Sequence, residues 1–513
     1  VEVFELTWLL LVVAVGLTWV ARRINVPYPS LLALGGVVIA LIPDAPRFQI
    51  DPDLTLALFL APVLLDAAYD TSLRDLRRNW IPVTCLVLVA VGITTVAVAW
   101  VVHSLFPGIP WAAAVALGAL VAPPDAAAAT AVLRQLQLPH RLLVILEGES
   151  LLNDASSLLI YRLAVGAVAS GGLHFSQFAP TFALSVVGSV IAGYILARVS
   201  MHWLLRVGDV PSSIVLQFAS TFGVWILADH LGLSAIITVV VYAVTIARDA
   251  PARTPARQRV PSYAVWETVV FILNVLAFVL IGLQVRPILA ELTREQRNEY
   301  FVIGAAVLAT VILVRIAWVM TYNRVAQIKL HFFGAGRWPG SARPNIRGGL
   351  VISWCGMRGI VTLAAAYALP ANFPSRDLIV LCAFCVVVGT LVLQGLTLRP
   401  LILLLNLRND REVDTEVRTA LRRLAQVALD TLDGDMSEVS QQVRREFAIL
   451  LDGEGDSATI RERSPYDETR ARVIVAQRHA LVELRTNQTI GDAAFHQVEE
   501  RLDWAELNAN AKE

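Results

Sequence analysis

The sequence is short of charge. Only 16% of its 513 residues are Asp, Glu, Lys or Arg, against about 25% in soluble globular chains. Lysine is almost missing, with Lys329 and Lys512 alone. Acidic and basic residues balance at 42 each and no basic run stands out, so nothing marks a nucleic-acid partner. There is no Walker motif and no G-x-S-x-G elbow, and the eight histidines lack metal-ligand spacing. The glycine-rich run 334–340 has the wrong spacing for a dinucleotide site. With no nucleophile–base or metal constellation and no cofactor motif, the chain does not read as an enzyme. The four cysteines sit in apolar stretches, so Cys382-x-x-Cys385 reads as small residues on one helix face.

What is abundant is apolar. Hydrophobic residues make up 56% of the chain and the mean hydropathy is +0.62. The charge is also uneven. Residues 1–407 carry 27 basic and 20 acidic side chains, whereas 408–513 carry 15 and 22 in a far shorter stretch. This divides the chain into a membrane part, 1–405, and a polar tail, 406–513.

A spanning helix needs about 20 apolar residues. Thirteen stretches qualify as candidates, roughly 4–21, 28–43, 54–70, 80–104, 111–135, 141–169, 176–200, 212–229, 233–248, 264–286, 299–323, 347–369 and 377–405. The first opens on Glu2 and Glu5 and is followed by Arg22 and Arg23, which is unlike a signal peptide. With the N-terminus outside, the cytoplasmic loops hold 18 basic residues and the outer loops 5. The positive-inside rule therefore predicts thirteen passes, N-terminus out and tail in the cytoplasm. In the tail, 413–432 reads as an amphipathic helix, 437–451 and 468–508 as helical, and 452–463 as a linker. A regulatory or dimerising module is the expectation.

Ionisable groups in mid-span are costly and point to function. Here they cluster: Asp66 in the third stretch, Asp125 in the fifth, Glu147, Glu149, Asp154 and Arg162 in the sixth, Arg315 in the eleventh and Arg358 in the twelfth. In the fifth, Pro123-Pro124-Asp125 removes two backbone donors and frees the carbonyls of Ala119 and Leu120. An unwound helix at that depth lines a cavity or an ion site. In the sixth, Ser150 and Asp154 stand four residues apart on one helix face, with Glu149 and Asn153 on the adjacent one. The expectation is four oxygen-bearing side chains pointing one way. Hard cations take such oxygen ligands, and burial of a carboxylate also favours its protonated form. One carboxylate able to hold either species couples them, which is exchange in minimal form. Arg315 requires a buried anion, Glu149 or Glu147. The twelfth stretch is interrupted at Trp354-Cys-Gly-Met-Arg-Gly359, seven stretches after the fifth, as expected for inverted repeats with two broken crossing helices. Arg358 would then be a fixed positive charge near the crossing.

Pro123-Pro124-Asp125, Glu147-Gly-Glu-Ser-Leu-Leu-Asn-Asp154, Arg315 and Gly356-Met-Arg-Gly359 resemble the signature segments of monovalent cation:proton antiporters, including bacterial sodium/proton antiporters of the NhaP type, over about residues 1–405. The resemblance implies a homodimer in the bacterial plasma membrane. Its core would be built from about 80–170 and 299–405, and the other spans would form the dimer scaffold. It implies that Asp154 binds cation or proton, assisted by Ser150, Asp125 and the carbonyl of Pro124, with Asn153 beside them and Glu149 bridged to Arg315. The Asn153-Asp154 pair resembles the electroneutral type. The cargo implied is Na⁺ or Li⁺ against H⁺. Alternatives are potassium/proton exchange on the same fold, or a cation channel or membrane sensor. The chain departs from the family in having Pro124 where threonine is common and Asp66 where glutamate is common. Asp66, Arg358 and Glu147 are accessory candidates.

Overall fold

The computed structural model describes residues 2–42, 52–133, 138–170, 175–333, 345–407 and 412–434, with scattered positions as far as 505. All regular structure among the described residues is helical. This follows from the composition, because in lipid a helix satisfies its backbone N–H and C=O groups within one segment.

The helices in chain order are α1 Glu2–Arg23, α2 Tyr28–Leu41, α3 Pro52–Thr55, α4 Ala61–Asp70, α5 Leu73–Arg78, α6 Trp80–Thr84, α7 Val91–Leu105, α8 Trp111–Val121, α9 Ala126–Leu133 and α10 His140–Ser170. There follow α11 Phe175–Leu204, α12 Val210–His230, α13 Ala235–Arg253, α14 Ala256–Leu283, α15 Val285–Ala290, α16 Arg294–Phe333, α17 Ile346–Trp354, α18 Ile360–Tyr367, α19 Arg376–Leu405 and α20 Glu412–Thr431. π-Helical turns, Leu56–Leu60 and Cys85–Ala90, join α3 to α4 and α6 to α7. Each of the apolar stretches read from the sequence contains helix. Seven helical runs among the described residues are long and apolar enough to cross a membrane, and Tyr28–Leu41, Leu56–Tyr69 and Trp111–Val121 are apolar but shorter.

The chain forms two units, Val1–Asp410 and Arg411–Glu513. In the second, α20 covers the amphipathic stretch and leaves Val417, Leu424 and Val427 exposed. The stretches 437–451 and 468–508 are described only at scattered positions. The 452–463 linker and the glycine-rich run 334–340 lie outside the described residues.

Within the first unit the core divides in two. One cluster joins α2, α8, α14, α16, α18 and α19, and a smaller one joins α4, α11, α12 and α13. The outer surface is apolar, with Leu184, Val302 and Leu404 more than half exposed, which is lipid-facing character. Close packing relies on glycine where backbones meet. A Cβ on Gly36 would strike the Val279 carbonyl, and one on Gly282 the Ala33 carbonyl, so α2 and α14 touch backbone to backbone. The π turn leaves the Val87 carbonyl available, and Ser156 Oγ of α10 donates to it at 2.8 Å.

Outside the apolar stretches, Asp75 ties α5 to the start of α10. Its Oδ2 faces His140 Nε2 at 3.1 Å and its Oδ1 accepts from Arg74 Nε at 3.1 Å. Its backbone N–H donates to Ser72, and Asn79 Nδ2 donates to its carbonyl at 2.9 Å. Burial disfavours the Asp75 charge, but the bonds with His140, Arg74 and Ser72 together outweigh it and hold the carboxyl below the ordinary carboxylate value.

Two outcomes are expected. Gly282→Leu should lower the thermal midpoint of the purified protein sharply, because backbone rather than a flexible side chain blocks the new atoms. Asp75→Asn should cost about 1 kcal/mol near neutral pH. A carboxylate whose native pKa is depressed stabilises above its unfolded pKa and loses that contribution as pH falls through the native one, so the deficit should close below about pH 4. Thermal melts across pH check this, and a deficit that does not change with pH would show a packing effect instead.

Candidate functional site

Two helices are broken at mid-length, and the breaks meet. The first lies between α8 and α9, at Ala122-Pro123-Pro124-Asp125, where the prolines end the helix. The second lies between α17 and α18, at Cys355-Gly356-Met357-Arg358-Gly359. The backbone N–H of Asp125 donates to the Met357 carbonyl at 2.7 Å. Gly359 is extended, so its φ does not require glycine. Its neighbour does, since a Cβ there would overlap the Asp125 carboxylate.

Polar side chains satisfy the groups the breaks expose. Ser157 Oγ of α10 donates to the Ala119 carbonyl at 2.6 Å, one of the two that the prolines free. Asn153 Nδ2 donates to the Pro124 carbonyl at 2.8 Å. Thr390 Oγ1 of α19 accepts from the Arg358 N–H at 3.0 Å. Arg358 is buried, 1% exposed, and its Nε and Nη1 lack hydrogen-bond partners among the described residues, as does Asn153 Oδ1. Glu149, Asp154 and Arg315 lie within electrostatic reach of Arg358.

The acid that partners Arg315 is Glu149. The pair is bidentate, Nη1 to Oε1 at 2.5 Å and Nη2 to Oε2 at 2.8 Å, with side chains 4% and 1% exposed. Arg315 Nε and Nη2 also donate to the Ile352 carbonyl, at 3.3 and 3.1 Å. That carbonyl lies in the last turn of α17 and has no helical partner because α17 stops at Trp354. The bridge thus joins α10, α16 and the end of α17 at one point.

The other candidates line a cavity of about 1120 Å³. Asp154, Ser150 and Glu147 of α10, Asp125 and Pro124 of the first break, Thr130 of α9 and Asp66 of α4 all face it. Asp154 and Asp125 are within electrostatic reach of one another. One expectation is corrected. The four oxygen-bearing side chains of α10 do not point one way: Ser150 and Asp154 line the cavity, while Glu149 and Asn153 are buried against the bridge and the Pro124 carbonyl. Successive helical positions are about 100° apart, enough to divide the two pairs between cavity and interior. Arg162, also in α10, is exposed. Among the described residues no three His, Cys, Asp or Glu side chains converge to hold a metal ion.

Several neutral groups join the site beyond Ser150, Asn153 and the Pro124 carbonyl expected from the sequence. Thr130 and Asn274 line the cavity, and Ser156, Ser157 and Thr390 satisfy freed backbone groups. Asn274 was discoverable as an amide in the middle of an apolar run.

Known proteins resemble this chain over most of its length. The profile described as "Sodium/hydrogen exchanger, transmembrane" matches residues 9–404. The chain is 31% identical to an uncharacterised Na⁺/H⁺ exchanger of Mycobacterium tuberculosis, over 96% of this chain and 93% of that one. It is 28% identical to a sodium, potassium, lithium and rubidium/H⁺ antiporter of Bacillus pumilus, over 94% and 74%. Its fold is similar to that of the sodium proton antiporter MjNhaP1 of Methanocaldococcus jannaschii, with a TM-score of 0.60 at 19% identity, over 79% of this chain and 98% of that one.

Removing Glu149 leaves a buried arginine uncompensated, at a cost of about 3–5 kcal/mol. Glu149→Ala should lower folded yield and thermal midpoint, and the double variant Glu149→Leu, Arg315→Met should recover most of the loss. A well-folded Glu149→Ala protein with impaired cation affinity would assign Glu149 to the cargo instead.

Proposed function

The chain belongs to the sodium/hydrogen exchanger family, and on that premise we propose that it exchanges cytoplasmic sodium, or lithium, for one proton, with Asp154 holding either species in turn. The observation that carries this reading is the single cavity that gathers Asp154, Asp125 and Ser150 at the meeting point of two broken helices. It offers carboxylate, hydroxyl and carbonyl oxygens to a hard cation without a full cage, which suits cargo that must leave again.

In this reading Asp154 is the coupling group. A cation and a proton compete for one carboxylate, so each can leave only when the other replaces it. Asp125, Ser150 and the Pro124 carbonyl complete the cation's oxygen shell. Asn153, bonded to that carbonyl, keeps it in place. With no second carboxylate at position 153, one cation is exchanged for one proton and no net charge crosses. Arg358 is a fixed positive charge behind the site that limits it to one cation, and Asp66 and Glu147 attract cations into the cavity. The Glu149–Arg315 bridge is structural.

Access alternates by rigid movement of a core built from about 80–170 and 299–405 against the remaining helices. The chain passes thirteen times through a bacterial plasma membrane as two inverted repeats, N-terminus outside, pairs as a homodimer and uses the cytoplasmic tail, 406–513, for regulation. Potassium as cargo has a specific observation in its favour, since the Bacillus pumilus relative is a sodium, potassium, lithium and rubidium/H⁺ antiporter.

Proteoliposomes containing a pH-sensitive dye test the reading. Sodium or lithium should drive proton movement that is unchanged between zero and negative voltage. A response to potassium would keep the mechanism and widen the cargo. Asp154→Asn, which cannot release a proton to a cation, should abolish exchange in folded protein. Exchange retained in that variant would sink the mechanism.

A further inference from the structure

The large cavity runs along one face of α14. Tyr263, Glu267, Asn274 and Ala277 all line it, and at 1.5 Å per residue the first and last stand about 21 Å apart. Exposure falls along this row. Tyr263 and Glu267 are exposed, Asn274 is half-buried and Ala277 is buried. Tyr263 therefore marks the mouth, and Asn274 lies near the closed end. The first turn of α18, which follows the second break, lines the same cavity, and α18 packs against α14.

The polar groups of this wall differ in what they bond. Trp266 Nε1 donates to Gln217 Oε1 of α12 at 2.8 Å, and Gln217 Nε2 donates to Ser262 Oγ at 2.8 Å. The Tyr263 hydroxyl meets that of Tyr69 at 3.3 Å. These groups are satisfied within the wall. Asn274 is not. Its side chain bonds no protein group among the described residues, and its amide is not among the atoms sealed from the cavity. The α14 residues that line the cavity around it, Val270, Phe271 and Ala277, are apolar. A polar side chain at such depth is costly and marks a path for cargo. A carboxamide carries a neutral carbonyl oxygen, which hard cations accept as a ligand. A cation that has passed Glu267 loses water against this apolar wall, and Asn274 is the next side-chain oxygen that α14 offers it.

We infer that the Asn274 carboxamide oxygen contacts the entering cation and so helps to set cation affinity on the side to which this cavity opens. This rests on the exchange reading above and adds to it a ligand from outside the moving core. In that reading α14 stays in place while α10 carries Asp154 past it. The Asn274 contact therefore exists in one access state and is absent from the other. A residue needed only for packing would affect both states alike.

The sodium dependence of proton movement, measured separately in inside-out and right-side-out membrane vesicles, tests this. Asn274→Leu has a similar shape and lacks the oxygen. It should raise the sodium KM about tenfold on one side, the scale of one bond to a charged group, and leave it within about twofold on the other. The maximum rate should fall far less. Asn274→Asp, which keeps an oxygen there, should hold KM at or below the wild-type value. Asn274→Ala supplies the test if Asn274→Leu does not fold. A second readout needs no transport: the sodium concentration that half-protects the purified protein against heating should rise several-fold in Asn274→Leu. Wild-type protein that moves no protons, with sodium protection that weakens in this variant, would overturn the exchange reading and uphold the Asn274 contact. Working exchange with a KM unchanged on both sides, raised equally on both, or raised as much in Asn274→Asp would overturn the inference and leave the exchange reading intact.

Discussion

Two helices cannot be broken in the interior of an apolar protein unless the backbone groups each break exposes find partners. The bond from the Asp125 N–H to the Met357 carbonyl meets that requirement, and the rest of the site depends on it. It brings the two breaks into contact and places the Asp125 carboxylate against Gly359, where any side chain would displace it. It also sets the Pro124 carbonyl within reach of Asn153. The pattern extends outward through Ser157 on the Ala119 carbonyl and Thr390 on the Arg358 N–H. Each hydroxyl or amide satisfies a backbone group that the break exposes, where an unpaired one would cost about 1–3 kcal/mol.

The helix α10 separates two kinds of acid. Glu149 is committed to Arg315 in a bidentate pair that also uses the open end of α17. Such a pair gains little over well-packed apolar residues, but breaking it is expensive, so it fixes the relative position of three helices. Asp154, less than two turns further along, faces the cavity together with Ser150. One helix thus presents one carboxylate bound in an ion pair and one that lines a cavity, and the angle between their faces keeps the two apart. The bridge and the crossing are buried, whereas the cavity is lined by residues of α4, α12, α13 and α14 as well as of α10.

Much of this was legible in the chain. The apolar runs mark the helices because only segments with internal hydrogen bonding persist in lipid. Pro123-Pro124 marks the first break because proline lacks the N–H. Glu147, Glu149, Asp154, Asp125, Arg315 and Arg358 stand out because charge is rare in such runs. Asn153, Ser157 and Thr390 were harder to read as crossing supports, since neutral polar residues are common in membrane helices and their role depends on a carbonyl contributed by a distant segment.

The sequence by itself determined which stretches are helical, where two of them break and which side chains carry charge at depth, because these follow from local composition and from proline's missing donor. Tertiary structure alone decided that the breaks at residues 122–125 and 355–359 meet. It also chose Glu149 over Glu147 as the partner of Arg315, and turned Asp154 toward the cavity while Asn153 turned away. The reason is physical. Helical spacing sets the angle between two side chains on one helix, but which of those directions faces a cavity, a cation or another backbone depends on the helices packed around it, and that information is spread over the whole chain.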